Sequence, residues 1–210
     1  MRTFVRGFGE VCLSLGVVIL LFLAYLNWGT AVQASRAQHR FASQLNHEWQ
    51  RPADPARPDF IHAVLGQPFA FLRIPRLGRS WRFAVVEGTG LAQLALGPGH
   101  VQGTQLPGQL GNFAVAAHRV TAGNPFYYLP GMRQGDFVFV DTKVNTYEYR
   151  ITGKKWVLPS DVGVLDPVPG HLRERPGQRL ITLITCDPAW TGTYRVIVTG
   201  LLVQAAARSA

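Results

Sequence analysis

Lysine is almost missing from this 210-residue chain. Of its 21 basic side chains only Lys143, Lys154 and Lys155 are lysine; the others are arginine. They are scattered along the chain, which excludes a basic tail of the nucleic-acid-binding kind, and no nucleic-acid partner is expected. Acidic residues number 12, so the formal charge is +9, a balance suited to an anionic membrane or polymer surface. Cysteine is equally scarce, with only Cys12 and Cys186. A disulfide framework is excluded if those two lie in different compartments. His39, His47, His62, His100 and His171 show no close ligand spacing, and no acidic loop is clustered, so neither a metal nor any other cofactor is expected. Gly88-Thr-Gly90 reads as a turn with no helix behind it, not as a phosphate cradle. There is no internal repeat. What is present is 47 % hydrophobic residues with 22 Gly and 14 Pro. That composition supports a buried core and favours short strands with turns over a helical bundle.

One long apolar run stands at the N-terminus. Residues 1–10 carry Arg2 and Arg6, and Val11 to Trp28 (VCLSLGVVILLFLAYLNW) holds no charged side chain. As a helix it is about 27 Å long, near the hydrocarbon thickness of a bilayer. Tyr25 and Trp28 stand at its far end, where amphipathic aromatics favour the interface. The expected arrangement is a single-pass anchor over 11–28, a cytoplasmic tail over 1–10 and an extracellular remainder. A cleaved signal peptide is the competing reading, with Val32-Gln33-Ala34 as a passable site. Residues 29–66 follow as a juxtamembrane helix and a stalk, the latter stiffened by three prolines in RPADPARPD (51–59). The folded domain is expected over 67–204, with 205–210 as a loose tail.

Within that domain the pattern is β throughout. Strands are expected at 70–74, 83–86, 112–117, 137–140, 146–152, 154–158, 179–185 and 194–203, with short helices near 124–129 and 169–174. The fold class is mainly β, a barrel or sandwich.

The chemistry centres on Cys186. A lone thiol outside the cytoplasm is either deeply buried or has a job. Cys186 ends the β-forming run Arg179-Leu-Ile-Thr-Leu-Ile-Thr185 and is stopped by Asp187-Pro188, which places it at a strand tip beside a loop. If the next strand pairs back, Arg195 meets it at the same end. His118 also follows an apolar strand and is the best-placed base. Thiolate, imidazole and guanidinium together make an acyl-transfer set: nucleophile, proton carrier and oxyanion partner. Each residue also has a plain alternative, as packing thiol, satisfied polar histidine or edge arginine.

Thr182-Leu-Ile-Thr-Cys186 resembles the TLxTC signature of sortases, the membrane-anchored cysteine transpeptidases of Gram-positive bacteria. Arg195 stands nine residues on, as that family's arginine does. Ala116-Ala-His-Arg119 is similar to its AGHR segment, with Ala117 where glycine is usual. Ile74-Pro-Arg-Leu-Gly78, Gly97-Pro-Gly-His100, Pro107-Gly-Gln-Leu-Gly-Asn112, Pro125-Phe126 and Gly135-Asp136 match in order, so the resemblance covers about 69–203. It implies an eight-stranded barrel and a catalytic set of His118, Cys186 and Arg195. It also implies cleavage between Thr and Gly of a Leu-Pro-x-Thr-Gly signal or a relative, through a thioester. The partners it implies are secreted proteins bearing that C-terminal signal and, as acceptor, an amine of a cell-wall peptide or a pilin. The wording looks most like class E of actinobacteria, which tends to accept Leu-Ala-x-Thr-Gly. Thr185 would then contact the substrate carbonyl, and Tyr127 or Tyr128 would line the groove. Two other classes stay open: a tethered cysteine peptidase that releases its acyl group to water, and a non-catalytic wall-binding module.

Overall fold

The computed structural model describes residues 2–25, 29–52 and 61–208. Two long helices come first, α1 (Arg2–Ala24) and α2 (Thr30–Trp49). Eight strands then close a barrel: β1 (Pro68–Arg73), β2 (Arg82–Glu87), β3 (Gly99–His100), β4 (Gly111–Ala116), β5 (Phe137–Asp141), β6 (Asn145–Val157), β7 (Arg179–Asp187) and β8 (Tyr194–Ala207). Around the barrel the order is β1-β2-β3-β4-β7-β8-β6-β5, and β5 returns to β1. All neighbours are antiparallel except β2/β3 and β4/β7.

Strand alternation builds the interior. Ala70 and Leu72 of β1, Phe113 and Val115 of β4, Ile181 and Leu183 of β7, and Val196 and Val198 of β8 all turn into one core. Their neighbours in sequence therefore face outward, and two outward patches are covered. Phe71 and Ala84 lie under α2, which seats Leu45 on them with Phe41, Ala42 and Trp49 alongside. Gln38 of α2 fixes the contact: it accepts from Ala84 N at 2.7 Å and donates to Leu96 O at 3.0 Å. The expected juxtamembrane helix is thus a packed part of the domain. Its apolar positions recur at helical spacing, and burial of a side chain such as Leu45 contributes about 2 kcal/mol.

The second patch is polar. Thr182 donates to Asn112 Oδ1 at 2.7 Å, and Asn112 Nδ2 donates to Val164 O at 3.0 Å and Asp166 O at 3.2 Å. Asn112 and Thr182 are fully buried. These bonds pin the long β6–β7 connection across the outer face of β4 and β7. Asn112→Ala would leave two carbonyls and a hydroxyl without partners in a dry site. The expected cost is about 3 kcal/mol, seen as a fall of about 10 °C in the melting temperature of the detergent-solubilised chain. A melt within 2 °C of wild type, roughly the noise of the method, would show that the connection is held by something else.

Several expectations need correcting. The strands anticipated at 146–152 and 154–158 are one, because the irregularity between Ile151 and Gly153 absorbs the glycine while β6 stays paired with β8. The short helices near 124–129 and 169–174 are turns. In the first, Ala122 (φ 53) and Asn124 (φ 54) break the helical run, and a single tight turn follows at Leu129–Gly131. In the second, Pro167, Pro169 and Gly170 (φ 83) do so, and the tight turn comes earlier, at Val162–Leu165. A four-residue helix, α3 (Leu91–Leu94), does follow Gly90. β8 runs to Ala207, pairing Ala205 with Tyr147 and Ala207 with Asn145, past the point where a loose tail was expected. β3 is only two residues long and was missed. It exists because Gly99 allows a close approach: a Cβ there would fall 2.2 Å from Gly88 O. Of the proline-rich stretch, residues 53–60 lie outside the described residues, as do 26–28 with Trp28. Arg6–Leu23 of α1 is long and apolar enough to cross a membrane, with mean hydropathy 1.9 and none of it buried against the rest of the chain.

Candidate active site

Antiparallel β7 and β8 set Cys186 directly opposite Arg195. Parallel β4 and β7 pair up to Ala116 with Ile184, and Ala117 N still donates to Ile184 O at 3.1 Å. His118 comes two residues after Ala116 as Cys186 comes two residues after Ile184, so both stand just past the end of that pairing. Alternation fixes the face: Ala117, Leu183 and Val196 belong to the core, so His118, Cys186 and Arg195 turn outward together. The three residues singled out by sequence are therefore collected at one end of three adjacent strands, on the face where the pinned β6–β7 connection forms a wall.

The local geometry is tight around the thiol. Gly192, in the β7–β8 loop, has φ +61 and leaves space that a side chain would fill. A methyl there would lie 3.7 Å from Cys186 Sγ and 3.7 Å from Arg195 Nη1, so sulfur and guanidinium face the same small volume. Arg195 Nη1 donates to Gly192 O at 2.7 Å and Tyr194 O at 3.1 Å. That tether fixes the guanidinium plane, while Nε and Nη2 make no hydrogen bond among the described residues and are available to an anion. Cys186 is half-buried, which removes the deep-burial explanation for an isolated thiol. Cys12, on α1, is the other unpaired cysteine.

His118 is half-buried, and desolvation alone holds its pKa below the ordinary histidine value of 6.5. Near neutral pH the imidazole is uncharged and able to accept a proton. The acid limb of kcat/KM should therefore have its midpoint below 6.5. The sign for stability follows from the same shift. The unfolded chain binds the proton more readily, so stability is full above 6.5 and declines as pH falls from there through the folded-state pKa. A pH–rate profile with its acid midpoint above 7, beyond the unperturbed histidine value, would contradict this assignment.

Thr185 is placed differently from the expectation. It is 2 % exposed on the inward side, and its hydroxyl donates to Ala117 O at 2.9 Å. Its side chain joins β7 to the end of β4 and does not face the groove. Tyr127 and Tyr128 are exposed, with rings edge to face at 4.9 Å. They line a 460 Å³ cleft with Arg76, Arg119, Pro130 and Gly131. Among the described residues no group of three or more His, Cys, Asp or Glu is arranged to hold a metal ion. Sequence reasoning missed Asn112, Gly192, Trp156 and the partnership of Arg119 with Asp187. Only Asn112 carried a local signal, a polar residue inside an apolar strand.

A sortase-domain family model matches residues 72–203. The chain belongs to the sortase family. Its barrel is similar to sortase E from Streptomyces avermitilis, 43 % identical with a TM-score of 0.62 over 69 % of this chain and 93 % of that one. It is also similar to sortase E1 from Streptomyces coelicolor solved with a tripeptide in the active site, 35 % identical with a TM-score of 0.63 over 70 % and 94 %. By sequence the S. coelicolor relative SrtE1 is 35 % identical over 97 % of this chain, which spans 58 % of that protein's length.

Proposed function

We propose that this sortase is a membrane-anchored cysteine transpeptidase with His118, Cys186 and Arg195 as its catalytic set. The observation that carries the reading is the strand register: Cys186 is the direct partner of Arg195, and His118 and Cys186 each stand two residues past the last β4–β7 pair, Ala116 with Ile184. In the first half-reaction His118 takes the Cys186 proton and sulfur attacks the Thr carbonyl of a sorting signal. Arg195 stabilises the oxyanion. His118 then gives the proton to the departing Gly amine, which leaves a thioester on Cys186. In the second half-reaction an acceptor amine attacks the thioester, its proton passes to His118, and the amide forms as sulfur departs.

The signal is of the Leu-Pro-x-Thr-Gly or Leu-Ala-x-Thr-Gly type, and the acceptor is an amine of a cell-wall peptide or a pilin. Similarity to the Streptomyces E sortases favours class E and the alanine form. Tyr127 and Tyr128 are the groove residues of this proposal, with Thr185 as a support beneath the nucleophile. Residues 11–28 anchor the chain, a reading supported by the apolar length of α1, and Arg2 and Arg6 ahead of the span favour an inside N-terminus with the barrel outside.

The test is product analysis of the full chain in detergent with both peptides, with and without an amine. The expected result is an amide product that grows with amine concentration at the expense of hydrolysis. Hydrolysis indifferent to amine would make the chain a peptidase instead.

A further inference from the structure

The β4–β7 ladder ends before it reaches the reacting residues. Its last bonds are Ala117 N to Ile184 O and the Thr185 hydroxyl to Ala117 O. The His118 carbonyl turns away and accepts from Phe126 N at 3.1 Å. Beyond that point one side chain joins the two segments. Arg119 Nη1 donates to Cys186 O at 3.3 Å and to Asp187 Oδ1. The residue after His118 is thereby bonded to the residue after Cys186. The second oxygen of Asp187 is also taken, by Trp156 Nε1 at 2.7 Å, so the carboxylate is held from β6 as well. Arg119 has a side chain only 17 % exposed, and its Nε is buried without a partner. Such an orphan donor is tolerated where the rest of the side chain is firmly fixed.

Resting on the function proposed above, we propose that Arg119 and Asp187 form a positioning clamp that holds His118 in register with Cys186, with Trp156 bracing the carboxylate. Neither residue is catalytic: the clamp acts through the two it brackets. It has two physical effects. Nη1 of Arg119, bonded to both Cys186 O and Asp187 Oδ1, takes the place of the missing main-chain ladder, so the imidazole and sulfur keep one separation, and small misplacements there are costly. The charges also cancel. Asp187 adjoins the thiol in sequence, and its negative charge, left alone, would oppose formation of the thiolate; Arg119 neutralises it. The charged and titratable groups around the pair are His118, Cys186 and Arg195 at the site, Tyr194 opposite Asp187, and Arg76, Tyr127 and Tyr128 across the cleft.

A bracing role alone and a charge-balanced clamp differ in what they do to the thiol. The experiment compares Arg119→Gln, Asp187→Asn, the double variant and Arg119→Lys in the full detergent-solubilised chain. One readout is the pH midpoint of Cys186 alkylation by iodoacetamide, with Cys12→Ser as the common background. The other is kcat/KM for peptide transfer. Arg119→Gln should raise the alkylation midpoint by about half to one pH unit, Asp187→Asn should lower it, and the double variant should return to near wild type. Transfer should fall about 10- to 30-fold in each single variant and stay low in the double, because the bridge is lost although the charge is balanced. Arg119→Lys keeps the charge but loses the rigid planar guanidinium that aims Nη1 at both oxygens, so its midpoint should stay at the wild-type value while transfer falls about fivefold. If Arg119→Gln does not fold, the lysine and asparagine variants carry the test. Midpoints that do not move in any variant, or transfer within twofold of wild type throughout, overturn the clamp. Wild type that alkylates normally but never forms a thioester would instead count against the transpeptidase reading and leave the alkylation shifts to judge the clamp.

Discussion

Replacing Cys186 by Ala should lower peptide transfer by about 10⁴-fold or more, while the sorting peptide still binds within a few-fold of wild type. The size follows from what is removed. Every covalent step runs through the sulfur, and the neighbouring Thr185 cannot replace it, being turned inward with its hydroxyl given to Ala117 O. Binding survives because the groove wall is fixed by Asn112 and Thr182, which the substitution does not touch. Peptide binding is read by fluorescence anisotropy and transfer by chromatography. A Cys186→Ala chain that keeps more than about one per cent of the transfer rate, well above what such a loss allows, would move the nucleophile elsewhere.

Arg195→Ala should cost about 10²- to 10³-fold in kcat/KM, the usual consequence of losing one preorganised oxyanion partner. The loss should appear in the acylation step, where charge first develops on the carbonyl oxygen. The guanidinium is preorganised by its bonds to Gly192 O and Tyr194 O, so it pays no reorganisation cost when the oxyanion forms. Arg195→Lys should recover only part of the rate. An ammonium restores the charge, but it cannot keep both carbonyl tethers and also present a planar pair of donors. Combining Arg195→Ala with His118→Ala should cost less than the product of the single losses, since both act on one transition state. Single-turnover acylation measured by intact mass separates the cases: a defect confined to the second half-reaction would contradict the assigned role.

Much of this is legible in the amino-acid sequence. Alternating apolar residues between Gly and Pro signals placed seven strands, because each strand buries one face and period two survives in the sequence. β3 was not legible, since two residues have no period; it depends on the backbone contact between Gly99 and Gly88. The role of α2 was hidden for another reason. Ala34, Gln38, Phe41, Leu45 and Trp49 do fall on one helical stripe, but with polar residues between them and a proline-rich segment behind they suggest a juxtamembrane helix outside the folded domain. Its burial depends on Phe71 and Ala84 from distant strands. At the site, Cys186 and Arg195 were readable because a hairpin fixes their register, and His118 because it closes an apolar strand. Arg119 and Asp187 were each visible beside those residues, but their pairing needs β4 and β7 to lie parallel, a contact between segments 68 residues apart. The substrate-carbonyl contact expected of Thr185 overlooked parity: the residue before Cys186 in a strand points to the other face, and the Thr185 hydroxyl is bonded to Ala117 O.

The central claim is that sulfur, imidazole and guanidinium act as one unit, and the acyl-enzyme reports it most directly. The full chain is mixed with Leu-Pro-x-Thr-Gly and Leu-Ala-x-Thr-Gly peptides, quenched in acid and mapped by mass spectrometry. The account predicts an acyl adduct on Cys186, ending at Thr, that disappears when an amine is added, is absent from Cys186→Ala and is strongly reduced in His118→Ala and Arg195→Ala. An adduct that forms equally well without His118 and Arg195, or that maps to Cys12, would contradict it.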